Sequence, residues 1–263
     1  MRASRAAAAV LTAVFVGVAA ACGRSPSAAP PSPSGTAPAL GGPLTVLAAA
    51  SLTEAFTDVR TSLQREHPGL SISDSFAGSQ QLVAQIQQGA PADVVATADT
   101  ASMDALRSAH LVDAPLVFAH NRLEMVVAPG NPRGVRTLAD LARPDLTVVL
   151  ADPSVPAGRF ARQALQKAGV TVRPRSLELD VKSELQKVAL GEADAGIVYV
   201  TDVAAAGSRV TGVPIPDDQN VVATYPIAVV SATRHRRAAT AYVGVIVSGQ
   251  GERALRARGF AGS

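Results

Sequence analysis

The chain has 263 residues, of which 48% are hydrophobic and 17% charged, with 24 basic and 21 acidic side chains. Two of the basic residues, Arg2 and Arg5, precede the first apolar run, and without them the net charge is only +1. That balance excludes the basic field typical of nucleic-acid-binding proteins. A single cysteine, Cys22, excludes an internal disulfide bond and a thiolate metal site.

The N-terminus has the pattern of a secretory signal peptide, which we predict over residues 1–21. Two arginines form its positive region, and residues 6–21 form an apolar region that is short for a membrane span. Small residues then precede Cys22, as in a bacterial lipobox, although Ala19 stands where leucine is commoner. We predict that Cys22 is lipidated. The alternative is ordinary signal-peptide cleavage after an A-x-A-like site, which would leave Cys22 as an unmodified thiol without a function.

The next stretch, SPSAAPPSPSGTAPALGGP, has no charge and almost no large apolar side chain. It cannot bury enough surface to offset chain entropy, so we predict a disordered tether over residues 22–43. A tether suits a membrane-anchored protein, which supports lipidation of Cys22. The folded part is predicted from about residue 44 to residue 260, and no segment of it reaches the roughly 18 consecutive apolar residues of a membrane span.

Beyond the tether, short valine-rich runs alternate with helical patterns. The predicted strands are Leu44–Ala48, Leu70–Phe76, Asp93–Ala96, Glu124–Ala128, Thr147–Ala151, Gly196–Tyr199 and Ile227–Ser231. The predicted helices are Leu52–Arg65, Gln80–Gln88, Ala101–Ala109, Gly158–Ala168, Val181–Leu190 and Arg236–Ser248. The alternation predicts an α/β fold with parallel-type sheets flanked by helices, in which ligands bind at the carboxyl ends of strands.

Four strand-to-helix junctions share one pattern, a small or polar residue at the start of the helix. They are Ser51 in AAASLTEAF, Gly78-Ser79 in SFAGSQQLVAQI, Ala157-Gly158 in DPSVPAGRFA and Asp180-Val181 in ELDVKSELQKV. Ser51 followed by Glu54 predicts a capping box. Each junction alone is a cap or a turn, but helix N-termini with small residues also admit anions.

The motifs of common enzyme classes are absent from the sequence: G-x-S-x-G, G-x-x-x-x-G-K-[ST], H-E-x-x-H and G-x-G-x-x-G. The four histidines are His67, His110, His120 and His235. They lack the spacing of metal ligands, and we interpret them as surface residues. Asp93 and Asp99 are interpreted as loop caps rather than catalytic acids, because nothing pairs with them at a fixed helical spacing.

Four motifs follow one another in a characteristic order: AAASLTEAF, FAGSQQLVAQIQQGAPADVVATAD, VVLADPSVPAGRFARQALQKAG and ADAGIVYVTD. In that order they closely resemble the molybdate-binding proteins of ABC importers, over almost all of the folded part. The resemblance implies a type II solute-binding fold, in which two α/β domains hold the anion in the cleft between them. We place the two chain crossings near His120–Leu123 and Thr224–Pro226. Domain I is then residues 44–122 plus 226–263, and domain II is residues 123–225.

The resemblance also implies which residues bind the ligand: Ser51, Ser79, Ala157, Val181 and Tyr199. The serines would donate from hydroxyl and N–H groups, Ala157 and Val181 from main-chain N–H groups, and Tyr199 from its phenol. Gly78 stands where some family members carry serine, a departure that leaves the contacting residue unchanged. No side chain is expected to bind molybdenum directly, and no cofactor is expected.

Neutral donors suffice for such a site. Removing a dianion from water costs several kcal/mol per charge or more, and about seven charge-assisted hydrogen bonds of roughly 1.5–3 kcal/mol each can offset that cost. A site made only of donors also disfavours a protonated anion, because it cannot accept from an O–H group.

The resemblance thus implies an extracytoplasmic, lipid-anchored and monomeric receptor, not an enzyme, that passes molybdate or tungstate to an ABC transporter permease. Its contact with the membrane would be the lipid anchor only, and nucleic acid is not expected as a partner. Sulfate or another tetrahedral oxyanion is the alternative ligand. Two other classes stay open: a secreted α/β enzyme with Ser51 or Ser79 as nucleophile, and a sensor or adhesion module.

Overall fold

The computed structural model describes residues 40–263, so the predicted signal peptide, Cys22 and most of the predicted tether lie outside the described residues. Nine strands and eight helices form within this range. The strands are β1 (Gly42–Ala49), β2 (Leu70–Ala77), β3 (Val94–Ala96), β4 (Leu116–Val127), β5 (Val149–Ala151), β6 (Ser176–Glu178), β7 (Ala195–Tyr199), β8 (Thr211–Pro214) and β9 (Val222–Val229). The helices are α1 (Thr53–Glu66), α2 (Ser79–Gln87), α3 (Thr100–Ser108), α4 (Pro156–Lys167), α5 (Val181–Ala189), α6 (Val200–Ala206), α7 (Arg236–Ile246) and α8 (Gly249–Ala257).

Every predicted strand and helix is confirmed, although several ends differ. Gly42 and Pro43 pair with β2, so they belong to β1 and not to the tether. Four elements were not predicted: β6, β8, α6 and α8. The strands β6 and β8 are very short, and α8 carries Gly249 and Gly251 in its first turn, where glycine weakens the helical pattern. The helix α6 follows β7 directly, without a polar turn to mark its start.

The main sheet has the strand order β2-β1-β3-β9-β4-β7, and β8 also pairs with β4. β1 pairs in parallel with β2 and β3, as strand–helix–strand units favour. β9 runs antiparallel to β3, and β4 runs antiparallel to β9, β7 and β8. β5 and β6 form a separate parallel pair that a single bridge between Val148 and Ala195 links to β7. The predicted α/β architecture is confirmed, and its antiparallel strands are an addition to the prediction.

The long strand β4 changes partner along its length. Up to Arg122 it pairs with β9, and from Leu123 onward it pairs with β7 and β8. This change falls where the sequence predicts a crossing between domains, near His120–Leu123. The division into two domains stays a prediction.

An aromatic cluster fixes the end of β7 against β9. The ring of Tyr225 lies 6.0 Å from that of Tyr199, 6.3 Å from that of Phe118 and 5.4 Å from that of Phe260, each in an edge-on arrangement. Edge-on aromatic pairs add to the hydrophobic contribution of burial. The hydroxyl of Tyr225 lies 3.0 Å from Ser51 Oγ, so the cluster also reaches the start of α1.

Asp74 is a buried carboxyl group on β2. Its side chain has no exposed surface and lies 3.1 Å from the guanidinium group of Arg60 in α1. Burial raises the pKa of Asp74 from 3.8 to about 6, although Arg60 opposes the rise. Because the folded protein then holds this proton more tightly than the unfolded chain, the contribution of Asp74 to stability is fully present below pH 3.8 and is lost as the pH rises through about 6.

We expect Asp74→Asn to gain stability relative to the wild type as the pH rises from 4 to 7, because asparagine does not titrate. A shift of roughly two pKa units corresponds to about 3 kcal/mol over that range. Urea unfolding of both proteins at several pH values measures the difference in unfolding free energy. Asp152→Asn is the control, since hydrogen bonds from the N–H and hydroxyl of Ser154 lower the pKa of Asp152 below 3.8, so its stability difference from the wild type should stay nearly constant from pH 4 to 7. Parallel trends in the two variants would contradict the prediction.

Candidate functional site

The five residues predicted to bind the ligand line one cavity. Ser51, Ser79, Ala157, Val181 and Tyr199 come from distant parts of the chain, and none is more than 4% exposed. The cavity is narrow, with room for about one water molecule. Its other lining residues are small or uncharged: Ala49, Ala50, Ala77, Gly78, Ala98, Val155 and Pro156. The structure thus brings all five residues together, while their contact with a ligand stays a prediction.

Four of these residues lie at the start of a helix. Ser51 belongs to a 3₁₀ turn that leads directly into α1, Ser79 and Val181 are the first residues of α2 and α5, and Ala157 is the second residue of α4. The first N–H groups of a helix have no partner within the helix, and they form the positive end of its dipole. Several helix starts therefore meet around the cavity.

The predicted capping box at Ser51 is wrong. The 3₁₀ turn Ala50–Leu52 separates β1 from α1, so Ser51 does not occupy the position before the helix, and no side chain caps either the turn or α1. Ser51 Oγ instead lies 3.0 Å from the hydroxyl of Tyr225, and Glu54 forms an ion pair with α5. Ser51 is therefore a buried hydroxyl group held at the cavity wall by an aromatic residue.

Ser79 Oγ accepts a hydrogen bond from the N–H of Ala98 at 3.0 Å, which leaves its own proton free to donate. Gly78, directly before it, donates its N–H to Gln81 Oε1 at 3.1 Å. A Cβ at Gly78 would lie only 2.4 Å from the carbonyl oxygen of Leu179. Glycine at this position is therefore required by a close approach of two main chains, and a serine would not fit without a shift of the backbone.

Tyr199 is the last residue of β7, and its buried hydroxyl has no hydrogen-bond partner within residues 40–263. Burial raises the pKa of Tyr199 well above its ordinary value, so the hydroxyl keeps its proton at neutral pH. A buried polar group without a partner costs about 1–3 kcal/mol. An acceptor bound in the cavity would remove that cost.

Two cationic side chains lie next to the cavity, and acidic groups neutralise both. Arg159 of α4 forms an ion pair with Asp99, and Lys182 Nζ lies 2.8 Å from Glu54 Oε2 and 3.0 Å from Asp202 Oδ1. Burial alone would lower the pKa of Lys182, but the carboxylates of Asp202 and Glu54 outweigh it and raise that pKa. None of the residues that line the cavity is charged. The inner surface of the site is thus built from neutral groups.

Besides the contact between Ser51 and Tyr225, three contacts near the cavity connect residues of the two predicted domains. Two are the ion pairs of Arg159 and Lys182, whose partners Asp99 and Glu54 belong to predicted domain I. The third is a hydrogen bond from Gln80 Nε2 to the carbonyl oxygen of Leu179 at 2.8 Å. These contacts hold the surfaces that carry the five site residues close together.

Gly158 has a role at the site that the sequence analysis did not assign. A Cβ at this position would lie 2.2 Å from the carbonyl oxygen of Asp152 and 2.4 Å from that of Ala151. Glycine therefore allows the start of α4 to pack directly against the end of β5, which places Ala157 at the cavity. In the sequence, a glycine at the start of a predicted helix, as in the motif PAG, indicates such a close approach of two main chains.

Comparisons with known proteins identify the family of the chain. The family model described as bacterial extracellular solute-binding protein matches residues 44–261. The molybdate-binding protein ModA of Mycobacterium tuberculosis (strain H37Rv) is 41% identical over 254 residues, which cover 96% of each chain.

Two solved structures share the fold. The periplasmic molybdate-binding protein of Azotobacter vinelandii superposes with a TM-score of 0.72 at 18% identity, covering 83% of this chain and 98% of the other. The sulfate-binding protein SubI of Mycobacterium tuberculosis gives 0.72 at 22% identity, covering 83% and 86%. Within residues 40–263, no helix has the length and apolar character needed to cross a membrane. The resemblance predicted from the four motifs is confirmed, and the chain belongs to the bacterial extracellular solute-binding proteins.

Proposed function

We propose that this protein is an extracytoplasmic receptor that binds molybdate, and also tungstate, and delivers the anion to the permease of an ABC importer. One observation carries the proposal: five residues with hydroxyl or free main-chain donors line a single buried cavity without a charged wall. The 41% identity to the molybdate-binding protein of Mycobacterium tuberculosis supports molybdate as the ligand. The proposal needs no cofactor and no second copy of the chain.

The donors can satisfy a dianion. In the contact between Ser51 and Tyr225 either oxygen can donate, and when Tyr225 donates, the proton of Ser51 is free for the ligand. Burial raises the pKa of Tyr225, which keeps that proton in place. Hydrogen bonds to an anion are worth roughly 1.5–3 kcal/mol each, so about seven of them offset the loss of hydration.

We expect molybdate and tungstate to raise the melting temperature strongly and sulfate much less. A ligand at about 100 times its Kd stabilises the folded state by about 2.7 kcal/mol, and each kcal/mol raises Tm by roughly 2–4 °C in a domain of this size. Sulfate has shorter bonds, so several donors in a cavity built for a larger anion stay out of reach. A thermal-shift series with molybdate, tungstate, sulfate, phosphate and chromate measures this order. Equal stabilisation by sulfate would contradict molybdate as the specific ligand. The protein would then still be a receptor for tetrahedral oxyanions.

A hydrolase that uses Ser51 or Ser79 as nucleophile is the rival from another class. The hydrogen-bond partners of these serines are the hydroxyl of Tyr225 and the N–H of Ala98, and neither is a base. The Mycobacterium tuberculosis relative that is 41% identical to this chain is a binding protein by name. Release of product from general ester or peptide substrates, lost in Ser51→Ala or Ser79→Ala, would favour the rival.

We propose further that the protein is held at the membrane by a lipid on Cys22. The support is the position of the lone cysteine directly after an apolar segment and before an uncharged, Pro-rich and Ser-rich stretch. Several acyl chains on one cysteine would hold the protein firmly, where a single chain would not.

Cys22→Ser is expected to release the protein from the membrane fraction, since residues 25–43 offer no other apolar anchor. Cell fractionation followed by a high-salt wash measures the change, with Ser25→Ala as the control that keeps the cysteine. A serine variant that still sediments with membranes after the wash would show that the anchor is not Cys22.

A further inference from the structure

Glu184 of α5 is a fully buried acidic residue that the proposed binding mechanism does not use. Its Oε1 accepts a hydrogen bond from the N–H of Ile197 in β7 at 2.7 Å. Its Oε2 is buried and has no hydrogen-bond partner in the described part of the chain. Acidic side chains are rarely fully buried unless they are paired, so this one needs a physical reason.

The contact with Ile197 fills a gap in the sheet. β7 pairs with β4 along one edge, whereas along the other edge β5 reaches it only through the bridge between Val148 and Ala195. The N–H of Ile197 finds its acceptor in the carboxyl group of Glu184 instead of in a neighbouring strand. Because a buried N–H without an acceptor is costly, this contact holds the helix to the strand.

The chain leaves room for the carboxyl group at Gly196. A Cβ at this position would lie 2.8 Å from Glu184 Oε1 and 3.1 Å from the carbonyl oxygen of Val149 in β5. The main chain of Ala151, at the end of β5, lies against the same carboxyl group. Glu184 therefore contacts β5 and β7 while it belongs to α5.

These three elements carry the donors on one wall of the cavity. Val181 begins α5, Tyr199 ends β7, and β5 leads into α4 with Ala157. We propose that Glu184 is a positioning residue of the oxyanion site, which ties β7 to α5 and β5 and so sets the distance between the N–H of Val181 and the hydroxyl of Tyr199. The inference rests on the proposed function, because Glu184 acts through the proposed donors and does not touch the ligand.

Glutamine is the natural probe of this role. Burial raises the pKa of Glu184 well above its ordinary value, and the carboxyl groups of Asp202 and Glu178 add to the rise. Burial therefore favours the uncharged acid form of this side chain. Glutamine has the same shape and keeps an acceptor for the N–H of Ile197, whereas methionine has a similar length and no comparable acceptor.

The test compares molybdate binding of the wild type, Glu184→Gln and Glu184→Met by isothermal titration, well below the melting temperature of each protein. We expect glutamine to bind nearly as the wild type does and methionine to raise Kd by about tenfold or more, the loss of one well-placed donor. Ile246→Ala is the stability control. Ile246 is fully buried in α7 and lines no part of the cavity, so this variant should lower Tm without changing Kd.

The outcomes separate the two proposals. A wild type that does not bind molybdate overturns the proposed function and this inference with it. A wild type that binds, together with a methionine variant of unchanged Kd, overturns the inference alone, as does a glutamine variant that loses as much affinity as methionine. If the methionine variant does not fold, Glu184→Asp takes its place, because it keeps the acid but withdraws it from Ile197 by one methylene group, and the same tenfold loss is expected.

Discussion

Tyr199→Phe is expected to make the ligand-free protein more stable and the molybdate complex much weaker. The hydroxyl of Tyr199 is buried without a partner in the described residues, so its removal should raise the unfolding free energy by about 1 kcal/mol. The same removal deletes one charge-assisted donor, which corresponds to about 1.5–3 kcal/mol, or roughly a 10- to 150-fold rise in Kd. Urea unfolding without ligand and isothermal titration with molybdate measure the two effects.

Tyr242→Phe is the matched control for this prediction. Its hydroxyl is also buried without a partner within residues 40–263, but Tyr242 lies in α7 and does not line the cavity. This variant should gain stability and bind molybdate as the wild type does. If Tyr199→Phe binds equally well, the tyrosine is a packing residue and not a ligand.

Val181→Pro is expected to weaken molybdate binding by a similar factor while the helix persists. Asp180 caps α5 with an extended backbone and accepts the N–H of Ser183 at 2.8 Å, so Val181 is the first helical residue. Proline is well tolerated there, and the residue before a proline prefers the extended geometry that Asp180 already has. The substitution deletes one N–H donor, which corresponds to roughly a 10- to 150-fold rise in Kd.

Val181→Ala is the control, because it removes the side chain and keeps the N–H group. Since the side chain is buried, alanine should lower stability and leave affinity nearly unchanged. Isothermal titration measures Kd for both variants, and circular dichroism confirms that the proline variant is folded. An alanine variant that loses as much affinity as proline would mean that the side chain matters and that main-chain donation at this residue is wrong.

The sequence predicts the parts of the fold in which local pattern and tertiary structure agree. The strands β3 and β7 are continuous apolar runs because neighbours cover both of their faces, and such runs are recognisable without the structure. The first half of β4 is different. It carries His120, Asn121 and Arg122, and it is a strand because β9 pairs with it, which is a contact between residues about a hundred positions apart.

The candidate site also has a part that the sequence predicts and a part that it does not. The resemblance of four motifs to the molybdate-binding proteins implies the members of the site, and the structure places all of them at one cavity. The partners of these residues could not be predicted, because they depend on long-range approach. Tyr225 at Ser51 and Leu179 next to Gly78 come together only when the sheets are assembled. The predicted capping box is wrong because the helix does not begin where the local pattern indicates. A 3₁₀ turn follows β1 and moves the start of α1 beyond Ser51.

The main-chain donors at Ala157 and Val181 have a consequence for how this site can change over evolutionary time. On the proposed assignment, the ligand contacts a peptide group that every amino acid except proline provides. Substitutions between small apolar side chains that fit these two buried positions can therefore keep the anion, whereas proline removes the donor. Selection falls instead on the residues that shape the backbone, such as Gly158 and Asp180. In a distant relative, an intact helix start at these positions is thus a better sign of a shared ligand than a shared side chain.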